Sequence, residues 1–226
     1  MTAALDGRMG LMRADAAPAA VSRPKAAPRY PDQGYATAKR VLDIAGALAG
    51  LAVGGPIILA AAAWIYLVDG GPVFYRQWRV GQHGWLFRIY KLRTMRNDAE
   101  RDGVRQATRS DSRVLPGCTW MRRSHVDELP QLWNILVGDM SLVGPRPERP
   151  EIIEWLRQFV PRIDLRTAAK PGLTGLAQVR NGYTNDIAGA RRKIALDLRY
   201  LRRRGILTDI GLVLATVTRL WDRSAL

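Results

Sequence analysis

The hydrophobic pattern of the chain is dominated by one apolar segment, residues 41–68, in which Asp43 is the only charged residue. A straight helix of that length extends about 42 Å, and the hydrocarbon core of a membrane is about 30 Å thick. Pro56 follows two glycines near the middle of the segment, and a proline inside a helix removes a hydrogen-bond donor and favours a bend. Basic residues lie on both sides of the segment, which favours two cytoplasmic ends.

This pattern predicts a re-entrant helix-break-helix hairpin over residues 37–70 that dips into one leaflet of a membrane. A kinked helix that crosses the membrane once and a buried core helix are the alternatives. We expect four residues to anchor the hairpin: Lys39 and Arg40 at the headgroup level, Asp43 paired with one of them, and Pro56 at the bend.

Beyond residue 70 the pattern becomes mixed, and it predicts a small cytosolic domain over residues 71–226. Two strands, at 72–75 and 85–90, flank a glycine turn at 81–84. The spacing of apolar positions predicts four helices, at 129–137, 152–160, 188–204 and 206–221. The expected fold class is therefore α/β and mostly α, with amphipathic helices of the domain at the membrane interface.

Two segments carry no such pattern. Residues 1–36 contain four prolines and many alanines without an apolar period, which predicts a disordered basic tail. Residues 96–113 are polar and charged, which predicts a mobile loop within the small domain.

Composition narrows the class of protein. The 35 Lys and Arg residues outnumber the 20 Asp and Glu residues, and the formal net charge of +15 calls for an anionic partner. Nucleic acid, a negatively charged membrane and a phosphorylated substrate all satisfy that requirement. One cysteine excludes a disulfide framework and two histidines exclude a multi-histidine metal centre, so a bound metal needs carboxylates.

Asp127 and Glu128 are the strongest candidates for chemistry. They precede Pro130, which suits the first position of a helix, so both carboxylates lie close to a positive helix end. Neighbouring helical side chains point about 100° apart, so one carboxylate can face a reacting atom while the other holds a metal or a water. Arg122, a few residues earlier, can hold an anion. An ordinary charged helix start is the alternative.

Two further segments place cations where phosphate binding needs them. Arg146 lies between Pro145 and Pro147, and a rigidly held guanidinium suits bidentate binding of phosphate. An ordinary turn is the alternative there. Lys91 and Arg93 occupy alternate positions, so in a strand they share one face.

Taken together and in order, these segments resemble the bacterial sugar transferase family, the monotopic phosphoglycosyl transferases. The resemblance covers residues 38–220, and its specificity comes from the ordered set. The matching segments are Lys39-Arg40-x-x-Asp43, Gly71 to Gly81, Phe87 to Met95, Asp111 to Val114, Asp127 to Asn134, Pro145-Arg146-Pro147, Lys170 to Gly175 and Asp197-x-x-Tyr200.

The resemblance implies an enzyme that moves a sugar-1-phosphate from a nucleotide sugar, usually a UDP-sugar, to a polyprenyl phosphate such as undecaprenyl phosphate, with release of UMP. It implies the cytoplasmic face of the bacterial inner membrane and a first step in exopolysaccharide, capsule or O-antigen synthesis. Residues 71–226 would then form a catalytic domain.

The resemblance also implies roles for individual residues. Asp127 matches the catalytic nucleophile that forms a covalent aspartyl-phosphosugar intermediate, and Glu128 matches the residue that binds Mg²⁺. The implied substrate-binding residues are Arg122, Arg146 and Pro147, with Lys91, Arg93, Arg113 and Gln178 as weaker candidates.

The implied partners are polyprenyl phosphate, a nucleotide sugar and anionic membrane lipid, without nucleic acid, and the amphipathic helices leave room for a homodimer. Two other functions stay open. A basic membrane-bound adaptor without catalysis accounts for the charge and the apolar segment but not for the ordered acidic and arginine segments. A glycosyltransferase that moves the sugar alone is the second alternative, and it releases UDP.

Overall fold

The computed structural model describes residues 33–99, 101, 111–181 and 186–221, with the side chains of the last helix described to residue 218. Residues 1–32 of the predicted tail lie outside the described residues, as does most of the predicted loop at 96–113. Residues 33–36, which were predicted to belong to the tail, are instead the first residues of a helix.

The described residues form a small, mostly helical α/β fold, as predicted. Its helices are α1 (Gln33–Asp69), α2 (Thr119–Arg123), α3 (Gln131–Val137), α4 (Pro150–Arg157), α5 (Leu176–Asn181), α6 (Ile187–Arg203) and α7 (Ile206–Trp221). Its strands are β1 (Phe74–Val80), β2 (Leu86–Leu92), β3 (Ser141–Val143) and β4 (Gly172–Thr174). The four helices predicted from apolar spacing correspond to α3, α4, α6 and α7.

Two pairs of strands position the loops of the domain. β1 and β2 form the predicted antiparallel hairpin, in which Phe74 lies opposite Leu92 and Val80 opposite Leu86. The turn between them places His83 and Gly84 at positive φ, which glycine adopts readily. β3 and β4 pair in parallel, and the connection between them contains α4.

α1 is the longest described helix, and it continues through Pro56, so the predicted break of the hairpin is not confirmed. One stripe of α1 packs against the domain along most of the helix; its buried residues are Asp43, Ala47, Gly54, Ile58, Ala61 and Ile65. Gly54 lies against Leu129, and Ile58 belongs to a core cluster that includes Met121. Because packing holds the helix on both sides of Pro56, the missing hydrogen bond does not end it.

The opposite face of α1 is apolar and exposed. The most apolar 18-residue stretch of the helix has a mean hydropathy of 2.1, and only 17% of that stretch is buried. Leu59 and Leu67 are 72% and 80% exposed. The helix is long and apolar enough to cross a membrane, and its exposed face argues against the alternative of a buried core helix.

The charged residues at the start of α1 bind the domain, which corrects the prediction that they contact lipid headgroups. Lys39 pairs with Asp209 of α7 at 2.8 Å. Arg40 donates to the carbonyl oxygens of Ile135 and Leu136, both at 2.7 Å, and so caps the C-terminal end of α3.

The prediction that Asp43 pairs with Lys39 or Arg40 is wrong. The Asp43 carboxylate is buried and accepts hydrogen bonds from the Ser141 hydroxyl and the Leu142 amide, each at 2.9 Å. These donors come from β3, nearly one hundred residues along the chain, so the hydrogen bonds of Asp43 join α1 to the domain.

Candidate active site

Asp127 and Glu128 lie in a 3₁₀ turn, Val126–Glu128, between α2 and α3. His125 has a left-handed conformation, with φ of 57°, and its carbonyl accepts a hydrogen bond from the Glu128 amide at 3.0 Å. This tight reversal points both carboxylates inward, where they are 7% and 6% exposed. Pro130 is the N-cap residue of α3 and not its first residue, so the helix begins one residue later than predicted.

The Glu128 carboxylate is bound by two cations. Lys91 Nζ donates to Oε1 at 2.7 Å, and Arg146 donates to Oε2 at 3.0 Å and to Oε1 at 2.5 Å. Burial opposes ionisation of this carboxyl, but Arg146 and Lys91 outweigh that effect and hold the pKa of Glu128 well below its usual range. Glu128 is therefore a fixed anion that orients Lys91 and Arg146.

The Asp127 carboxylate differs, because no hydrogen bond reaches it from any residue that the structure describes. Burial raises the pKa of Asp127 above its ordinary value; Lys91 opposes that rise, Glu128 adds to it, and Arg122 opposes it. A buried carboxylate without a donor is rare, since its desolvation is not compensated. Its oxygens are thus available to a ligand or to a reacting atom.

The loop that carries Arg146 follows β3 and is fixed from several sides. Gly144 and Gly172 let the two strands pass so closely that a side chain at either position would collide with the backbone of the other. Arg166 donates to the Arg146 carbonyl at 2.7 Å and pairs with Asp197 at 2.8 Å. The loop therefore presents the Arg146 guanidinium to Glu128 from a rigid backbone.

The supporting charges around this loop were not predicted from the sequence. Glu148 pairs with Lys193 and lies 4.0 Å from Arg166. Burial opposes its ionisation, but Lys193 and Arg166 outweigh that effect and lower the pKa of Glu148 to about 2. Arg79 of β1 donates to the Pro147 carbonyl at 3.2 Å. Two matching segments of the sequence contain such residues, Gly71 to Gly81 with Arg79 and Asp197-x-x-Tyr200 with Asp197, but neither segment indicates a partner.

The other predicted substrate-binding residues divide into two groups. Arg122 belongs to the site, because it acts on the Asp127 carboxyl and donates to the Thr94 hydroxyl at 3.3 Å. Gln178, on α5, lies against Gly175, and both polar atoms of its side chain are buried without a partner among the described residues. An amide in that state is a candidate for ligand binding.

Arg93 and Arg113 are not brought to the acidic pair. Arg93 is buried and binds the carboxylate of Asp69 and the Pro72 carbonyl, which fixes the end of α1. It follows the last residue of β2, so it does not share a strand face with Lys91 as predicted. Arg113 pairs with Asp111 at 2.7 Å within its own loop.

The acidic pair offers carboxylate oxygens for a magnesium ion that takes most of its other ligands from elsewhere. Within the described residues no group of three or more His, Cys, Asp or Glu side chains suits a metal. Mg²⁺ commonly rests on one or two carboxylates together with substrate phosphates and water. Glu128 accepts three hydrogen bonds, and a carboxylate offers about four acceptor positions, so Glu128 retains room for one metal bond.

The site thus combines a carboxylate that has no donor among the described residues with the nearby cations Lys91, Arg122 and Arg146. In the comparison with known families, the model described as bacterial sugar transferase matches residues 34–223. The chain therefore belongs to the bacterial sugar transferase family.

Three relatives each match about four fifths of this chain. The UDP-glucose:undecaprenyl-phosphate glucose-1-phosphate transferase of Caulobacter vibrioides is 43% identical over 80% of this chain and 69% of its own length. The UDP-N-acetylgalactosamine-undecaprenyl-phosphate N-acetylgalactosaminephosphotransferase of Aeromonas hydrophila is 38% identical over 81% of this chain and 43% of its own. The exopolysaccharide production protein PSS of Rhizobium leguminosarum is 40% identical over 79% and 92%. The chain thus spans less than half of the Aeromonas relative.

Proposed function

We propose that this enzyme transfers a sugar-1-phosphate from a UDP-sugar to undecaprenyl phosphate, and that the product begins an exopolysaccharide-type glycan. The observation that carries the proposal is the Asp127 carboxylate, buried without a hydrogen-bond donor among the described residues and flanked by Lys91, Arg122 and the Glu128–Arg146 pair. The names of the relatives from Caulobacter and Aeromonas, which both state undecaprenyl phosphate as acceptor, support it.

The reaction proceeds in two displacements at phosphorus. An oxygen of the Asp127 carboxylate attacks the β-phosphorus of the UDP-sugar; the bond to the bridging oxygen breaks, and UMP leaves with that oxygen. An oxygen of undecaprenyl phosphate then attacks the same phosphorus, and the bond to Asp127 breaks. The products are undecaprenyl diphosphate sugar and a restored carboxylate, so atoms and charge balance.

The other residues of the site stabilise the charge that moves during these steps. Arg146 and Arg122 hold phosphate oxygens, and Lys91 favours the ionised form of Asp127 while it pairs with Glu128. Mg²⁺, when bound at Glu128 with the substrate phosphates, supplies further neutralisation of the diphosphate. Pro147 and Gln178 contact the nucleotide sugar beside the Arg146 loop.

We further propose that both ends of α1 stay on the cytoplasmic side of the inner membrane. The residues from Lys39 to Asp69 extend about 45 Å along a straight helix, and both ends bind the same domain, through Asp209 and Arg93. If α1 crossed the bilayer, the charged domain packed along it would enter hydrocarbon. An orientation in which only the outer face of α1 contacts lipid avoids that cost.

Cysteine labelling tests this topology. Thr37 and Gly71 are exposed on either side of the apolar segment. In sealed vesicles, a membrane-impermeant maleimide is expected to label Thr37→Cys and Gly71→Cys from the same side. The parent protein serves as the control, because its single cysteine, Cys118, is buried. Labelling from opposite sides contradicts the proposal.

The identity of the released nucleotide tests the reaction. The purified enzyme, with undecaprenyl phosphate and a panel of UDP-sugars, is expected to release UMP; release of UDP indicates transfer of the sugar alone.

Formation of a covalent adduct tests the nucleophile. Without acceptor, a labelled UDP-sugar is expected to leave a phosphosugar on the wild-type protein and none on Asp127→Asn. An adduct that persists in that variant removes Asp127 from the role of nucleophile. EDTA is expected to stop turnover and Mg²⁺ to restore it.

A further inference from the structure

An apolar groove of about 590 Å³ opens between α1 and the short helix α2. Pro56, Ala60 and Trp64 contribute to its α1 wall, and Gly117 and Trp120 contribute to the wall opposite. All of its lining residues are apolar or glycine, and its volume lies in the range of small-molecule pockets. The acidic pair does not line it, so the groove is a separate feature of the molecule.

The groove is kept open by small residues and bounded by two indoles. Trp64 and Trp120 are 47% and 52% exposed, which leaves much aromatic surface in contact with solvent. The Trp64 indole donates to the Pro116 carbonyl at 3.3 Å, so this side of the groove is fixed. A side chain at Gly117 would collide with that indole, and the backbone there has a φ of +73° that glycine tolerates.

At its outer side the groove is continuous with the lipid-facing surface of α1. Ile57 lines the groove and is itself 42% exposed, and Leu59, two residues further, is 72% exposed on the outer face. A hydrocarbon chain can therefore pass from a membrane into the groove without contact with water.

At its inner side the groove ends beside the catalytic turn. Met121 lines it, and the next residue is Arg122, which acts electrostatically on Asp127. Gly54, two residues before the groove-lining Pro56, lies against Leu129, which follows Asp127 by two positions. Ala61 and Met121, which line the groove, belong to a core cluster against which Val126 and Leu129 pack, so the groove is separated from the acidic pair by that cluster.

We propose that this groove holds the isoprenoid chain of the prenyl phosphate acceptor, with its phosphate directed to Arg122 and the acidic pair. The proposal rests on the proposed function and deepens it. An anion at the end of a long apolar chain matches this order of features, because the groove is apolar as far as Met121 and the next residue in the chain is the cation Arg122. An acyl chain of a bulk phospholipid is the competing occupant.

Photocrosslinking distinguishes these occupants without depending on catalysis. The full chain in phosphatidylglycerol nanodiscs is irradiated with a prenyl phosphate that carries a diazirine on its chain. Label is expected on the peptides that contain Trp64 and Trp120, and unlabelled undecaprenyl phosphate is expected to compete for it. Equal labelling by a diazirine phosphatidylglycerol, or label elsewhere, overturns the proposal.

A matched pair of variants tests the groove in the reaction. Ala60→Trp fills the groove and is expected to raise KM for undecaprenyl phosphate at least about tenfold, as expected when a hydrophobic site loses its fit. UMP release without acceptor is expected to stay at the wild-type level. Ala63→Trp, exposed on the same helix but outside the groove, is expected to change neither value.

Further outcomes separate this proposal from the proposed function. An unchanged KM in folded Ala60→Trp, or an equal rise in Ala63→Trp, overturns the groove assignment. If Ala60→Trp does not fold, Trp120→Ala removes a half-exposed wall of the groove instead, and its KM for undecaprenyl phosphate is expected to rise. Absence of UMP release from the wild type counts against the reaction, whereas competed crosslinking at Trp64 and Trp120 still supports the groove.

Discussion

Two buried acidic clusters of the molecule differ in how completely their carboxylates are bound. Near the start of α1, Asp209 is fully buried and accepts hydrogen bonds from Tyr35, Lys39 and Tyr200 at 3.0, 2.8 and 2.9 Å. At the turn before α3, Asp127 is also buried, but no described residue donates to it. A buried carboxylate with all its partners stabilises a fold, whereas one without them is costly to bury and available for chemistry.

The same comparison holds within the catalytic turn. Glu128, one residue from Asp127, is held by Lys91 and Arg146 and in this respect resembles Asp209, which is held by Lys39 and two tyrosines. The pKa of Asp127 is therefore raised and that of Glu128 lowered, although both are buried. The bonding partners of each carboxylate, and not burial alone, decide which one is available to react.

Asp127→Asn is expected to have the largest effect on activity. We expect turnover to fall by at least about a thousandfold, the scale typical for loss of a catalytic nucleophile, because an amide oxygen is a poor nucleophile. The thermal unfolding midpoint is expected to stay near the wild-type value or to rise, since the substitution removes a buried charge that no described residue hydrogen-bonds. Initial rates and thermal scans of the purified protein measure both. A variant that retains a tenth of the activity contradicts the assignment.

Asp209→Ala is expected to show the reverse, a loss of stability. Removal of this carboxylate deprives the Lys39 ammonium and the Tyr35 hydroxyl of their partner in a largely buried place, whereas Tyr200 keeps its bond to the Val143 carbonyl. The expected cost is about 3–5 kcal/mol in free energy of unfolding. Denaturant unfolding in detergent measures the change. The double variant with Lys39→Met is expected to recover part of the loss, because it also removes the orphaned charge. A double variant less stable than Asp209→Ala speaks against this account.

Arg146→Lys tests whether the site needs both hydrogen bonds that Arg146 donates to the Glu128 carboxylate. Lysine keeps the charge but cannot donate from two nitrogens to both oxygens of Glu128, so kcat/KM is expected to fall by about tenfold to a hundredfold. Arg157→Lys serves as the control, because Arg157 pairs with Asp164 in a cluster apart from the acidic turn. Comparable losses in both variants would indicate a general effect of arginine replacement.

The smallest expected effect is a displacement of the pH profile in Lys91→Met. Burial raises the pKa of Asp127, and Lys91 opposes that rise, so removal of Lys91 raises this pKa further. Activity that needs ionised Asp127 then declines at a higher pH on the acidic side than in the wild type. The pH dependence of kcat/KM measures it, with Lys170→Met as the control. An acidic limb that stays in place or moves down contradicts the coupling.

Features encoded by neighbours in the chain could be predicted from the sequence. The β1–β2 hairpin, helices α3, α4, α6 and α7, and the placing of Asp127 and Glu128 together follow from local spacing and turn residues. Arg146 was found because two flanking prolines restrict its backbone.

Features that depend on long-range packing could not be predicted. Lys39 and Asp209 are 170 residues apart, and Arg93 meets Asp69 where the end of α1 contacts the strand end. A charged residue alone does not reveal its partner, so the sequence predicts a lipid headgroup as the contact of Lys39, although its partner in the structure is Asp209. Pro56 failed as a helix breaker for the same reason, since tertiary packing overrode a local preference.

The packing of α1 against the domain also limits how the protein can be handled. α1 shares core clusters with β2, α2 and α3, and each of its ends neutralises a buried charge of the domain. A fragment that starts after residue 69 would therefore expose those clusters and leave Asp209 and Arg93 without their ion-pair partners. Removal of the apolar helix is thus not a route to a water-soluble catalytic fragment, and purification depends on an amphiphile that covers its outer face.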